Sequence, residues 1–146
     1  MYHFSTIENL KKAVYGRVDQ LHSEYLMNIP RGQDPVLGIG LNYIRFAVEE
    51  PQLFRFLFQS GYAAGNSLME MADSEELVPV LTAMREGSGL SMEKTGQVFI
   101  TVAMFAHGYA SIIANNHLEF DEDLIAEHLT RVWNGAVLAA EKEEKP

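Results

Sequence analysis

The chain has 146 residues, of which 47% are apolar; that suits one domain with a real core and excludes disorder. Its formal net charge of −9 argues against nucleic-acid binding by this chain alone, because phosphate recognition needs a basic face. It has no cysteine, which excludes disulfides, thiolate metal sites and a cysteine nucleophile and is compatible with a reducing cytoplasm.

Proline and glycine divide the chain into six predicted helices. The first spans about Ser5 to Met27. Ser5 with Glu8 forms a capping-box pattern. Ile7, Leu10, Val14, Val18, Leu21, Tyr25 and Ile29 recur at helical steps of three and four. A polar turn, Asn28 to Pro35, leads to a second helix with Asp34 as N-cap and Pro35 in the first turn. Its apolar stripe is Leu37, Leu41, Ile44 and Val48. Pro51 marks the next boundary, and a third helix is expected from Gln52 to Asp73. Leu53, Phe54, Phe56, Leu57, Phe58 and Tyr62 make it apolar nearly all round, which predicts burial near its start. A short fourth helix, Ser74 to Arg85, is expected to end at Gly87-Ser88-Gly89. The fifth spans Ser91 to Ala114 and closes on Asn115-Asn116-His117; the sixth spans Asp121, a good N-cap, to Lys142. No segment alternates as a strand would, so the expected class is all-α.

The residues that usually carry chemistry do not assemble into a known pattern. The five histidines fit neither an HExxH helix nor a Glu-x-x-His bundle site, so no metal and no cofactor are expected. Gly38-Ile39-Gly40 resembles part of a dinucleotide fingerprint, but Tyr43 stands where the third glycine belongs and no strand precedes it. Gly87-Ser88-Gly89 lacks a phosphate-loop lysine, and there is no Gly-x-Ser-x-Gly elbow. An enzyme is not expected. The acidic clusters read as solvated helix ends. Met1 to Phe4 opens no signal peptide, and the longest clean apolar run, Val98 to Ala106, is too short to span a bilayer, so no membrane association is expected.

The last two helices carry more apolar surface than one buried face requires. On the fifth, Val98, Val102, Phe105, Tyr109 and Ile112 form a large stripe, and Ala103, Ala106, Ala110 and Ala114 form a second, small-residue stripe. On the sixth, Leu124, Ile125, Leu129, Val132, Trp133, Ala136, Val137 and Ala140 cover more than one face. Two faces per helix predict a symmetric homodimer, with Ala103, Ala106, Ala110, Ala114, Leu129, Trp133, Ala136 and Ala140 at its interface; the competing reading is that both helices are simply central in a monomer.

Three segments resemble the TetR/AcrR family of transcriptional regulators. The stretch from Tyr43 to Phe58 is similar to the family's aromatic-rich helix pair meeting at a Glu-Pro corner, here Glu50-Pro51. Phe105 to Ile113 resembles the His-Gly segment of the penultimate helix, here His107-Gly108. Tyr2 to Leu10 resembles the junction after the recognition helix, with Ile7 where that junction has a lysine. The resemblance implies a six-helix regulatory domain over residues 1–146, with residues 1–4 as the remnant of a DNA-recognition helix and the helix-turn-helix absent. It also implies that the last two helices form a four-helix dimer bundle with a second copy. The earlier helices would then enclose a pocket for a small apolar or aromatic effector.

The candidate pocket residues are Tyr43, Phe54, Phe58, Tyr62, Met69, Met84, Phe99 and Met104, with His107 as a polar anchor. Aromatic rings supply contact area, and methionine adapts to varied ligands. Plain core packing is the competing reading for each. The expected function is therefore effector sensing and dimerisation in a cytoplasmic TetR-like repressor. The alternative is a stand-alone dimeric helical interaction protein with no role on DNA.

Overall fold

A computed structural model describes residues 6–59 and 75–144. Within them the chain forms α1 (Ile7–Met27), α2 (Pro35–Glu49), α3 (Pro51–Gln59), a 3-10 turn (Glu75–Leu77), α4 (Val78–Ser88), α5 (Met92–Asn116) and α6 (Glu122–Glu144). No strand occurs among the described residues. The expected all-α class is what the chain adopts. Of the expected third helix, only the part ending at Gln59 lies within the described residues; Tyr62 and Met69 lie outside them.

The helix ends follow from local chemistry. Asp34 Oδ1 accepts from the backbone N–H of Val36 at 2.9 Å and of Leu37 at 3.2 Å, satisfying donors that an isolated first turn leaves orphaned. Ser91 does the same for Lys94 at 3.2 Å, and Asp121 for Leu124 at 3.1 Å. At α1 the cap is Thr6, which accepts from Asn9 at 3.0 Å, one residue later than the Ser5–Glu8 pattern predicted. The fourth helix runs three residues past Arg85 because its left-handed terminator is Gly89, at φ 72°.

Packing places α5 at the centre of the bundle. It contacts α2, α3, α4 and α6, and α2 bridges to α1, α3, α4 and α6. By length and hydropathy α5 alone among the described helices could cross a membrane. A third of that apolar stretch is buried against its neighbours, while Met104 and Ile112 on its outer side stay exposed. One core cluster joins Ile44, Ala47, Phe54, Leu57, Ala106, Ala110, Ala114, Ile125 and Leu129. A second joins Ile39, Val80, Met84, Leu90, Val98, Val102 and Ala140.

Gly38 and Gly40, the partial fingerprint, are packing positions. A Cβ on Gly38 would lie 2.8 Å from Ile29 Cγ2, and one on Gly40 would lie 3.2 Å from Leu129 Cδ1. The two glycines let the interhelical loop and α6 approach α2 closely.

A buried asparagine ties α1 to α2. The Asn42 side-chain amide donates to the carbonyls of Tyr25, Leu26 and Asn28 at 3.2, 3.1 and 3.1 Å, where α1 runs out of helical partners. Its Oδ1 accepts from Arg45 at 2.9 Å, and Arg45 reaches Glu122 before α6 starts its second turn, at 2.6 Å. That ion pair is partly exposed and is worth about 0–1 kcal/mol. Losing the amide strands buried carbonyls, which costs roughly 1–3 kcal/mol. Asn42→Ala is therefore expected to lower Tm by roughly 3–10 °C in a circular-dichroism melt. An unchanged melt would show that α1 needs no such clamp.

Candidate functional site

The aromatic residues of α2 and α3 meet α1 and α5 in one cluster. Pro51 in the first turn of α3 starts a short helix whose Phe54 and Leu57 are completely buried. Phe54 and Phe58, four residues apart, share one side of that helix and stack at 4.9 Å between centroids. Tyr43 from α2 lies 6.1 Å from Phe54 and 5.6 Å from Phe58. His107 from α5 lies 5.7 Å from Phe54 and 5.3 Å from Phe58.

Three polar groups sit among these rings. The Tyr43 hydroxyl and His107 Nδ1 are hydrogen-bonded at 2.9 Å. Burial pushes the Tyr43 phenol above its ordinary range and lowers the His107 imidazole below its own. Both groups are thus neutral near pH 7. A neutral phenol can donate to Nδ1 or accept from it, so the bond serves either imidazole tautomer.

The third group is His22 of α1, which residue spacing alone did not single out. Its ring packs edge-on against Phe46 at 4.7 Å, Phe58 at 5.4 Å and Tyr43 at 5.5 Å. It is 5% exposed, and its Nε2 has no hydrogen-bond partner among the described residues. Burial lowers its pKa to about 4, so it too is neutral at pH 7.

The sequence candidates separate into distinct places. Tyr43, Phe54, Phe58 and His107 converge. Met84 and Phe99 belong to the second core cluster with Val98 and Val102, and Met104 is exposed on α5. Those three do not line the aromatic cluster: their helical register turns them to other faces of α4 and α5. Two open surface clefts occur elsewhere. One, of about 160 Å³, lies between α2, α5 and α6 beside Leu37, Gly40 and Trp133; the other lies beside Pro51, Ile113 and Leu118. Neither is lined by the clustered rings.

The small-residue stripe needs a correction. Ala106, Ala110 and Ala114 are buried inside the single chain, at 4%, 0% and 1% exposure, and so are Leu129 and Ala140. They have almost no area left for a second copy to cover. Their small size lets α5 pack closely within its own chain. Trp133 and Ala136 are half-buried against the second core cluster, and Ala103 is half-buried on α5. Among the described residues, no group of three or more His, Asp or Glu side chains is placed to hold a metal.

This arrangement defines a class: an all-helical domain with an aromatic cluster that spans four helices and carries a few neutral polar groups. Residues 36–133, about two thirds of the chain, match the tetracyclin repressor-like C-terminal domain. The chain belongs to that family, whose members are parts of regulatory proteins rather than enzymes. Comparison with curated proteins and with solved structures gave no match.

Proposed function

We propose that this domain senses a small aromatic effector and dimerises, as the regulatory part of a cytoplasmic TetR-like repressor. The observation that carries the sensing role is the Tyr43–His107 hydrogen bond inside the Phe54–Phe58 ring cluster. It sets neutral, orientable polar atoms within an apolar lining, the composition of a small-molecule site. The cluster draws on α1, α2, α3 and α5, so a ligand there would bias the relative placement of four helices. A net charge of −9 supports a role through a partner module rather than direct contact with nucleic acid.

The dimer surface in this reading is the exposed side of α5 and α6. Met104, Gly108 and Ile112 follow one another at four-residue steps on α5, and all three are exposed. Leu124, Gly135 and Leu138 share one side of α6 and are exposed as well. A Cβ at Gly108 or Gly135 would meet nothing within 4 Å in the chain, so both mark places where another helix could come close.

A panel of uncharged aromatic compounds is expected to raise Tm in a concentration-dependent manner, by the linkage of binding to folding. A flat response across the panel would remove the sensing role.

A further inference from the structure

Phe58 differs from the rings around it. Phe54, one turn earlier, is completely buried, whereas Phe58 is only partly buried. Yet its ring is the one that meets every polar member of the cluster: His22 at 5.4 Å, Tyr43 at 5.6 Å and His107 at 5.3 Å. It therefore occupies the space that touches all three groups.

His22 adds an independent observation. A neutral imidazole carries one N–H and one lone pair, and the Nε2 atom, whichever it bears, is buried without a partner among the described residues. Such a group is unfavourable unless something completes it. Around it stand Phe46, Tyr43 and Phe58, all roughly perpendicular to the imidazole plane. A completing group must be small and attached to a flat apolar body. It must also serve either tautomer, which a hydroxyl does because it both donates and accepts. A charged group is disfavoured there, since burying it unpaired carries a large desolvation penalty.

We propose that Phe58 is a displaceable plug, and that the space it fills accepts a neutral phenol whose ring replaces the Phe58 ring and whose hydroxyl bonds to His22 Nε2. This rests on the effector-sensing reading and names its ligand class. Phe58, which is only partly buried, moves aside, and the incoming ring restores the contacts with Phe54 and His107 that the side chain gives up. His22 is then a specificity residue.

The test compares phenol, toluene and benzoate by calorimetric titration at pH 7.5 on wild type, Phe58→Ala and His22→Phe. Phenol is expected to bind wild type about tenfold more tightly than toluene, the value of one hydrogen bond to a buried partner. Benzoate is expected not to bind. Phe58→Ala is expected to bind both neutral rings more tightly because the plug is gone, with the phenol preference intact. His22→Phe is expected to bind phenol and toluene equally. Should His22→Phe not fold, the ¹⁵N resonance of His22 Nε2 in wild type decides: movement on adding phenol supports the contact, and no movement overturns it. Equal binding of phenol and toluene to wild type, or a phenol preference that survives His22→Phe, overturns the assignment while leaving the sensing role standing. If neither neutral ring binds wild type or Phe58→Ala, the plug falls. The broader aromatic panel then decides separately whether sensing falls with it.

Discussion

Lowering the pH from 7 to 4 is expected to destabilise wild type more than His22→Phe, by roughly 3 kcal/mol. The imidazole titrates near 6.5 in an unfolded chain and near 4 in the fold, because burial among three rings penalises its charged form. Between those values the unfolded state holds a proton that the folded state does not. Stability therefore rises with pH across that window. The His22 contribution is fully present above 6.5, declines as the pH falls, and levels off below about 4. Two and a half pKa units at about 1.4 kcal/mol each give the stated size. Urea midpoints measured from pH 4 to 7.5 on both proteins isolate the effect. All other ionisable groups are common to both proteins, so their contributions cancel in the difference. His107 is among them, and burial shifts it in the same direction. Parallel curves would mean that His22 is not buried as a neutral ring.

Ala110→Glu is expected to unfold the domain. Ala110 has no exposed surface and sits in the core cluster with Ile44, Ala47 and Phe54. An unpaired carboxylate there costs several kcal/mol, a large share of the roughly 5–15 kcal/mol that holds a typical domain folded. A circular-dichroism melt reads this directly, and a native-like melt would contradict the packing of α5 against α2 and α3. The dimer is probed elsewhere. Met104 and Leu138 are 43% and 52% exposed in the single chain. The double variant Met104→Glu, Leu138→Glu is expected to keep the helical signal while light scattering at low micromolar concentration drops from dimer mass to monomer mass. Wild type already at monomer mass would sink the interface proposal. A double variant still dimeric would move the interface to another face.

The contrast between Ala110 and Met104 shows which parts were legible. Among the described residues, helix order and most caps follow from short-range chemistry, so Asp34, Ser91, Asp121 and Pro51 could be read from their neighbours. Tyr43, Phe54, Phe58 and His107 meet in one cluster, because an aromatic run beside a proline corner has few ways to bury itself. The sidedness of the helices was not legible. On α1 the stripe from Ile7 to Ile29 fits the helical period and its member Val18 is buried, yet Leu10, Val14 and Leu21 of the same stripe are exposed, and the buried ridge continues through His22 and Leu26 instead. Val48 is exposed for the same reason, with Phe46 and Ala47 turned inward instead. A shift of one residue rotates a helix by about 100° and leaves the periodicity almost unchanged.

The two stripes on the last two helices are the clearest case. By itself the sequence determined that α5 and α6 carry more apolar surface than one face can bury. Only the tertiary structure decided how that surface is used. Ala106, Ala110 and Ala114 go inward, since α5 is enclosed by α2, α3, α4 and α6 and needs small residues for close approach. Met104, Ile112 and Leu138 are left outside. Periodicity counts faces; which neighbour each face meets depends on contacts between residues far apart in the chain, and no local pattern encodes those.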